Sequence, residues 1–210
     1  KQSPSMKIAL EQAISSFPFA LHSTGTELCL AHWGQVAIWN QRMDLTAIVD
    51  GQEAMHRHYA DCLAALPWIK GFSVLDVGSG AGFPGIPLAI GAGFLQVTLL
   101  EPKRKRVSFL AAAAARLGLK NISVLEGRLD AQGILPAVKK LEHAFDTVIT
   151  RAVAVDDAFL LGAERCLRDN GRLVLFRHGS ERATLPDGRG FVWEGSWRYG
   201  REGVSDWVDA

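Results

Sequence analysis

"VLDVGSGAGFPGIPLAI", residues 74–90, sets Gly78, Gly80, Gly82 and Gly85 and two prolines among apolar residues, with one acid, Asp76, near its start. The apolar run up to Val77 reads as a buried strand. A helix can open near Pro84, because proline suits the first turn of a helix. The glycines therefore fall in the turn between strand and helix. Glycine there permits tight dihedrals and close approach, and the free N–H groups of a helix start favour anionic or polar groups. Such a turn is a place for a ligand to lie against the backbone.

Two ligands fit the same letters. Gly80, Gly82 and Gly85 match G-x-G-x-x-G, the dinucleotide fingerprint. Asp76, Gly78, Gly80 and Gly82 match D-x-G-x-G-x-G, the pattern of S-adenosyl-L-methionine methyltransferases. Glu101 ends the next apolar run, "VTLLE", where an acid can bind ribose hydroxyls of either molecule. A nucleoside-containing ligand is implied, and the spacing alone does not choose between them.

Outward from this stretch, residues 72–176 alternate strands with helices. "SVLDVG", "QVTLLE", "ISVLEG", "FDTVIT" and "GRLVLF" read as strands. Helices are expected after Pro84, over "KRVSFLAAAAARLGL", around "GILPAVKKLEHA" and around "VDDAFLLGAERCLRD". That order predicts right-handed crossovers and an α/β fold with a doubly wound, mostly parallel sheet, whose ligands sit beyond the carboxyl ends of the strands. Gly78 to Phe83, Glu101, Arg128 to Asp130 and Arg151 each follow a strand and can share one crevice. Residues 1–71 differ: "GTELCLAHWGQVAIWNQRM" and "GQEAMHRHYADCLAALPWI" carry apolar residues at helical spacing and predict an N-terminal helical extension. Residues 72–210 form the ligand-binding domain in this reading, closed by an antiparallel edge over "FVWEGSWRY" and "VSDWVDA".

Composition bounds the function. The chain has 210 residues, is 48% hydrophobic and 21% charged, and carries a formal net charge of +1, so affinity for nucleic acid must come from a local patch. Cys29, Cys62 and Cys166 are odd in number and far apart, which argues against a disulfide framework or a Cys-x-x-Cys metal site and suits the reducing cytoplasm. Residues 83–100 are uncharged over about a membrane span, yet their glycines and prolines split them into helix, turn and strand, so no membrane segment is expected. Lys103, Arg104, Lys105 and Arg106 stand at a helix start, where the helix dipole prefers anions. That mismatch points to a polyanion, and Arg57, His58, Arg128 and Arg151 could extend the patch. His58 with Asp61 three residues on is more often a satisfied helix pair than a catalytic dyad. There is no metal constellation, and no nucleophile with a base. Methyl transfer from a sulfonium to an atom with a free lone pair, such as guanine N7, needs alignment and no base.

"LDVGSGAGFPGIPLAI" and "LLEPKRKRVSFL", with "GLKNISVLEGR", "FDTVITRA", "LTAI" and "RHYADC", together resemble the glucose-inhibited division protein B family over roughly residues 33–178. Its members are bacterial methyltransferases of N7 of a guanine in the 16S ribosomal RNA of the small subunit. The resemblance implies a Rossmann-like class I methyltransferase fold and S-adenosyl-L-methionine as donor, with S-adenosyl-L-homocysteine as product. By position it assigns Asp76, Gly78, Gly80, Gly82, Phe83, Glu101, Leu129, Asp130 and Arg151 to the donor. It assigns Arg151, His58 and Arg57 to catalysis and site shaping, and Lys103, Arg104, Lys105, Arg106 and Arg177 to RNA. A cytoplasmic monomer without metal is expected. The alternatives are a methyltransferase for another RNA site or a small molecule, and a non-catalytic nucleotide-binding ribosome-assembly factor. Departures from the family pattern are Asp44 for asparagine, Cys62 for serine, "FRHGSE" for a lysine–glycine pair, and a tail without the usual closing elements.

Overall fold

The computed structural model describes residues 4–135, 141–151, 153–178, 191–192, 194–199 and 206–209. Helices α1 (Pro4–Ala13) and α2 (Ser23–Met43) come first. The next helical segment runs through α3 (Gly51–Ala54), a π-helical turn (Met55–Ala60), α4 (Asp61–Leu63) and a 3₁₀ turn (Leu66–Trp68). The chain continues with β1 (Ser73–Val77), α5 (Gly85–Gly91), β2 (Gln96–Glu101), α6 (Arg104–Arg116), β3 (Ile122–Glu126), β4 (Arg128–Asp130), β5 (Gly133–Leu135), β6 (Phe145–Thr150), α7 (Asp157–Cys166), β7 (Leu167–His178), β8 (Ser196–Tyr199) and β9 (Asp206–Asp209).

The strand order is β3-β2-β1-β6-β7-β9-β8. The sheet's parallel strands are β3, β2, β1, β6 and β7, and β9 and β8 close the edge antiparallel, within the two tail stretches where such an edge is expected. Strand order reverses between β1 and β6, which opens the ligand crevice of doubly wound sheets just there. Gly78 leaves β1 and Arg151 leaves β6 on its two sides.

The apolar runs arise because both faces of the sheet are covered. Val74, Val97, Leu99 and Ile149 face a core shared with α5 and α6. Leu10, Leu30, Trp33, Met55, Tyr59 and Leu63 from the N-terminal helices belong to that same core. Leu75, Val77, Leu100 and Val148 face the other core, closed by Phe159, Leu160 and Ala163 of α7. The predicted helical extension is thus packed on one face of the sheet, and α1, which no sequence signal marked, adds Leu10 beneath it.

Two sequence expectations are corrected. The helix expected around "GILPAVKKLEHA" is absent over its first three residues: Gly133–Leu135 are β5, paired antiparallel with β4. Gly133 has φ +102, which a helix does not accept, and the Asp130 carboxylate takes the Gln132 N–H to form the turn. Residues 136–140 lie outside the described structure. The helix expected over "VDDAFLLGAERCLRD" stops at Cys166, and Leu167 already begins β7, with Leu167 opposite Phe145 of β6. Here strand pairing overrides helical spacing.

At the amino end of the sheet, Asp146 of β6 accepts from the N–H groups of Phe72 and Ser73, from the Ser73 hydroxyl and from Arg168. Burial alone would raise its carboxyl, but these donors outweigh it and hold it well below the ordinary carboxylate value. A folded-state value below the unfolded one means that the stabilisation is complete above about pH 4 and is lost as pH falls further. Asp146→Asn is expected to cost about 2 kcal/mol at pH 7. Urea unfolding of both proteins at pH 7 and pH 3 should show that difference shrinking in acid.

Candidate active site

The floor of the crevice is the loop after β1. Gly78 and Ser79 donate their N–H groups to the Leu100 carbonyl of β2. Glu101, buried at the carboxyl end of β2, accepts from Gly80 N–H at 3.0 Å and from Lys103 N–H at 2.9 Å. One carboxylate thereby ties the glycine loop to the start of α6. Gly78 and Gly80 have φ +73 and +57. A side chain at Gly78 would run into Val153, downstream of β6, whereas at Gly80 it would meet nothing nearer than the Gly78 carbonyl, 3.8 Å away. Gly80 is therefore where the loop backbone lies open to the crevice. Gly82 and Gly85 are packed positions, under Ile86 and against Leu99.

Asp76 is fully buried. Its Oδ2 accepts from Gly85 N–H at 3.0 Å at the start of α5, and its Oδ1 has no hydrogen-bond partner. Burial, against the pull of the Gly85 N–H and the Ser79 hydroxyl and with help from the Glu101 charge, raises its pKa to about 7. The folded chain therefore binds this proton more tightly than the unfolded one. Stability is lost as pH rises from about 4 to 7, and the deficit persists above. Asp76→Asn removes that dependence. Its melting temperature in the absence of ligand is expected to gain on the parent by about 5 °C between pH 5 and pH 8. Parallel melting curves for both proteins would contradict the assignment.

The opposite wall is built on Arg151. Its guanidinium donates to the Arg57 carbonyl at 2.6 Å and to Cys62 Sγ at 3.5 Å, lies 3.5 Å from Asp61 Oδ2, and sits 5.8 Å from the ring centre of Phe176. The π-helical turn makes this possible. Asp61 N–H reaches back to His56 and His58 rather than to Arg57, so the Arg57 carbonyl is left for Arg151. The Arg57 side chain points elsewhere, to Glu53 at 3.0 Å on the exposed helix face. His58 and Asp61 do not pair with each other. His58 Nε2 is 2.8 Å from Thr46 Oγ1, and its ring stacks on Phe83, 4.5 Å between centres and 20° apart. Burial, then the charges of Arg151 and Arg57, lower its pKa to about 3, so His58 is a neutral ring at physiological pH.

Several of these parts carried no sequence signal. Asn40 Oδ1 accepts from Leu45 and Thr46 N–H groups while its amide donates to the Thr46 carbonyl, shaping the loop that presents Thr46 to His58. His32, fully buried, bonds Tyr59 Oη through Nδ1 at 2.8 Å and packs against Phe83. A histidine inside an apolar helical pattern does not announce such a role. The departures find reasons too. Asp44 is the left-handed residue ending α2, at φ 47, a conformation that aspartate and asparagine both tolerate, and its carbonyl accepts from Arg106. Cys62 is a buried thiol, its pKa pushed up to about 12 chiefly by burial, and still offers Arg151 an acceptor.

Leu129 and Asp130 stand on β4 rather than in a loop. Gly127, just before it, donates its N–H to the Glu101 carbonyl, which brings the start of this hairpin beside Glu101. Lys103, Arg104 and Lys105 are exposed on the first turn of α6, and Arg106 is half-buried through its bond to Asp44. Arg177 lies on β7, and its side chain is outside the described structure. Among the described residues no three histidine, cysteine or acidic side chains converge as a metal site, and no helix is long and apolar enough to cross a membrane.

Comparison with known proteins agrees with this arrangement. The family model for rRNA small subunit methyltransferase G matches residues 27–186. Among curated relatives, the ribosomal RNA small subunit methyltransferase G of Nitrosomonas europaea is 38% identical over 72% of this chain and 68% of its own. That of Nitrosococcus oceani is 36% identical over 80% of this chain and 75% of its own. Among solved structures, a SAM-dependent methyltransferase from Aquifex aeolicus superposes with a TM-score of 0.54 at 20% identity, over 70% of this chain and 85% of its own, a likeness of fold. The chain belongs to the rRNA small subunit methyltransferase G family and is an S-adenosyl-L-methionine-dependent methyltransferase.

Proposed function

We propose that the protein transfers a methyl group from S-adenosyl-L-methionine to N7 of a guanine in 16S ribosomal RNA, acting as a cytoplasmic monomer on the small subunit. Residues 1–71 are its helical extension and 72–210 its donor-binding domain. The observation that carries this reading is the crevice at the strand reversal, where a donor-type loop faces a fixed guanidinium and adjoins an exposed basic turn.

The residues present fit the donor. Asp76 Oδ1 is a buried acceptor without a partner, Gly80 leaves the loop backbone open, and each Glu101 oxygen keeps a second lone pair for ribose hydroxyls. Leu129 and Asp130 are assigned to the adenine. When bound, S-adenosyl-L-methionine supplies a methyl group already activated on a sulfonium. Guanine N7 would accept it through an in-plane lone pair that carries no proton, so the chain's own residues need only hold and align the base. No proton moves, and the site is suited to that. His58 is neutral and occupied by Thr46, and Arg151 stays protonated throughout. Their work is positioning: His58 backs Phe83, while Arg151, held on Arg57, Asp61 and Cys62, fixes the wall against which the acceptor base is aligned. Lys103, Arg104, Lys105, Arg106 and Arg177 supply phosphate contacts, which give affinity and register without base identity.

The test is to incubate the protein and methyl-labelled donor with 30S subunits lacking the modification, and to identify the labelled nucleoside after digestion. Label in 7-methylguanosine is expected. Label in another nucleoside, or donor binding without transfer, would overturn the assignment in favour of a different RNA site or a sensing role.

A further inference from the structure

Beside the basic turn, the end of α2 and the first two turns of α6 flank a groove of about 450 Å³, in the size range of small-ligand clefts. Ile38, Trp39 and Met43 give it an apolar and aromatic lining, and Arg42 and Lys105 give it two cations. Gln41 and Ser108 add the polar groups that could meet a base edge. No lining residue is acidic. Ile38 is 62% exposed, while Trp39 and Met43 are half-buried with one side against the core. The groove is also preformed: Trp39 is anchored on Phe109, 5.7 Å between ring centres, and Arg106 of α6 is bonded to the Asp44 carbonyl that ends α2.

We propose that this groove takes one unpaired nucleotide of the RNA substrate outside the target base, its base against Trp39, Ile38 and Met43 and its phosphate against Arg42 and Lys105. The inference rests on the ribosomal RNA function proposed for the crevice and extends the RNA surface from α6 onto α2. Charge complementarity selects the occupant. A chain with net charge +1 sets Arg42 and Lys105 on one aromatic cleft beside the basic start of α6, and single-stranded RNA is the partner that alternates flat apolar faces with phosphates.

The experiment uses the full-length protein and 30S subunits lacking the modification. Photo-cross-linking and then peptide mapping are expected to find ribonucleotides on the segment Ile38–Arg42. Arg42→Ala, at an exposed position, is expected to raise KM for the subunit about tenfold, as loss of a phosphate contact does. S-adenosyl-L-homocysteine affinity should stay within about twofold of the parent, since the groove does not touch the donor loop. Trp39→Leu should act in the same sense, and its melting temperature reports whether folding is affected. If both variants keep the parental KM while Lys103→Ala raises it, the groove is not an RNA site although the functional reading stands. Cross-links to a ribosomal protein instead of RNA overturn the proposal equally. A parent protein that neither binds nor methylates the subunit overturns the functional reading itself.

Discussion

Arg151→Ala is expected to lower kcat/KM for the small subunit by about a hundredfold or more, the usual consequence of losing alignment at the reacting centre. The side chain spans the junction between β6 and the π-helical turn, and no shorter residue can reach Arg57, Cys62 and Asp61 together. The same change removes the ion-pair partner of Asp61, whose side chain is only 10% exposed, at a cost of about 3 kcal/mol. Arg151→Lys separates the two effects. It restores a positive charge near Asp61 and so most of the stability, but a single ammonium lacks the planar fork that serves three acceptors. Transfer should stay at least about tenfold down in that variant. Steady-state kinetics at saturating donor, with urea unfolding of each protein, decide it. A lysine variant with parental kinetics would reduce Arg151 to a structural charge.

Gly78→Asp is expected to abolish donor binding. The residue sits at φ +73, and a Cβ placed on it would lie 2.5 Å from Val153 Cγ2, so the Val153 side chain must shift to admit it. A non-glycine residue in this conformation adds strain of about 1–2 kcal/mol. The added carboxylate also stands near Glu101 and Asp76, which already share one end of the sheet. Titration calorimetry with S-adenosyl-L-homocysteine should show affinity reduced at least about a hundredfold, with circular dichroism still reporting a folded sheet. Parental affinity would place the donor somewhere other than this loop.

Much of this was legible in the sequence, for physical reasons. The central parallel strands announced themselves because they are buried on two faces, the edge strand β3 less so, and the glycine loop because close approach excludes side chains. Asp76 and Glu101 stood out as acids where apolar strands end. Pairings set by tertiary contact could not be read. Nothing in "RHYADC" says that His58 turns to Thr46 and Asp61 to Arg151, since both partners come from other elements. The β4–β5 hairpin was hidden because "GIL" suits helix and strand alike until Gly133 adopts φ +102. His32 and Asn40, each inside a helical pattern, acquire their roles only from the π-helical turn and the loop that they respectively touch.

The π-helical turn has a consequence for how the chain tolerates change. An α-helix advances its side chains by about 100° per residue. The wider turn over Met55–Ala60 shifts that phase between α3 on its amino side and α4 on its carboxyl side. Met55 and Tyr59 thereby stay in the core while Asp61 and Cys62 arrive facing Arg151. Substitutions in the turn that keep size and polarity leave this phase intact. Deleting a single residue there would restore regular winding with α3 and α4 still nearly in phase, but the Arg57 carbonyl would then be taken up within the helix and lost to Arg151. The extra residue of the turn thus serves to free one carbonyl, and the segment's length is more constrained than its letters.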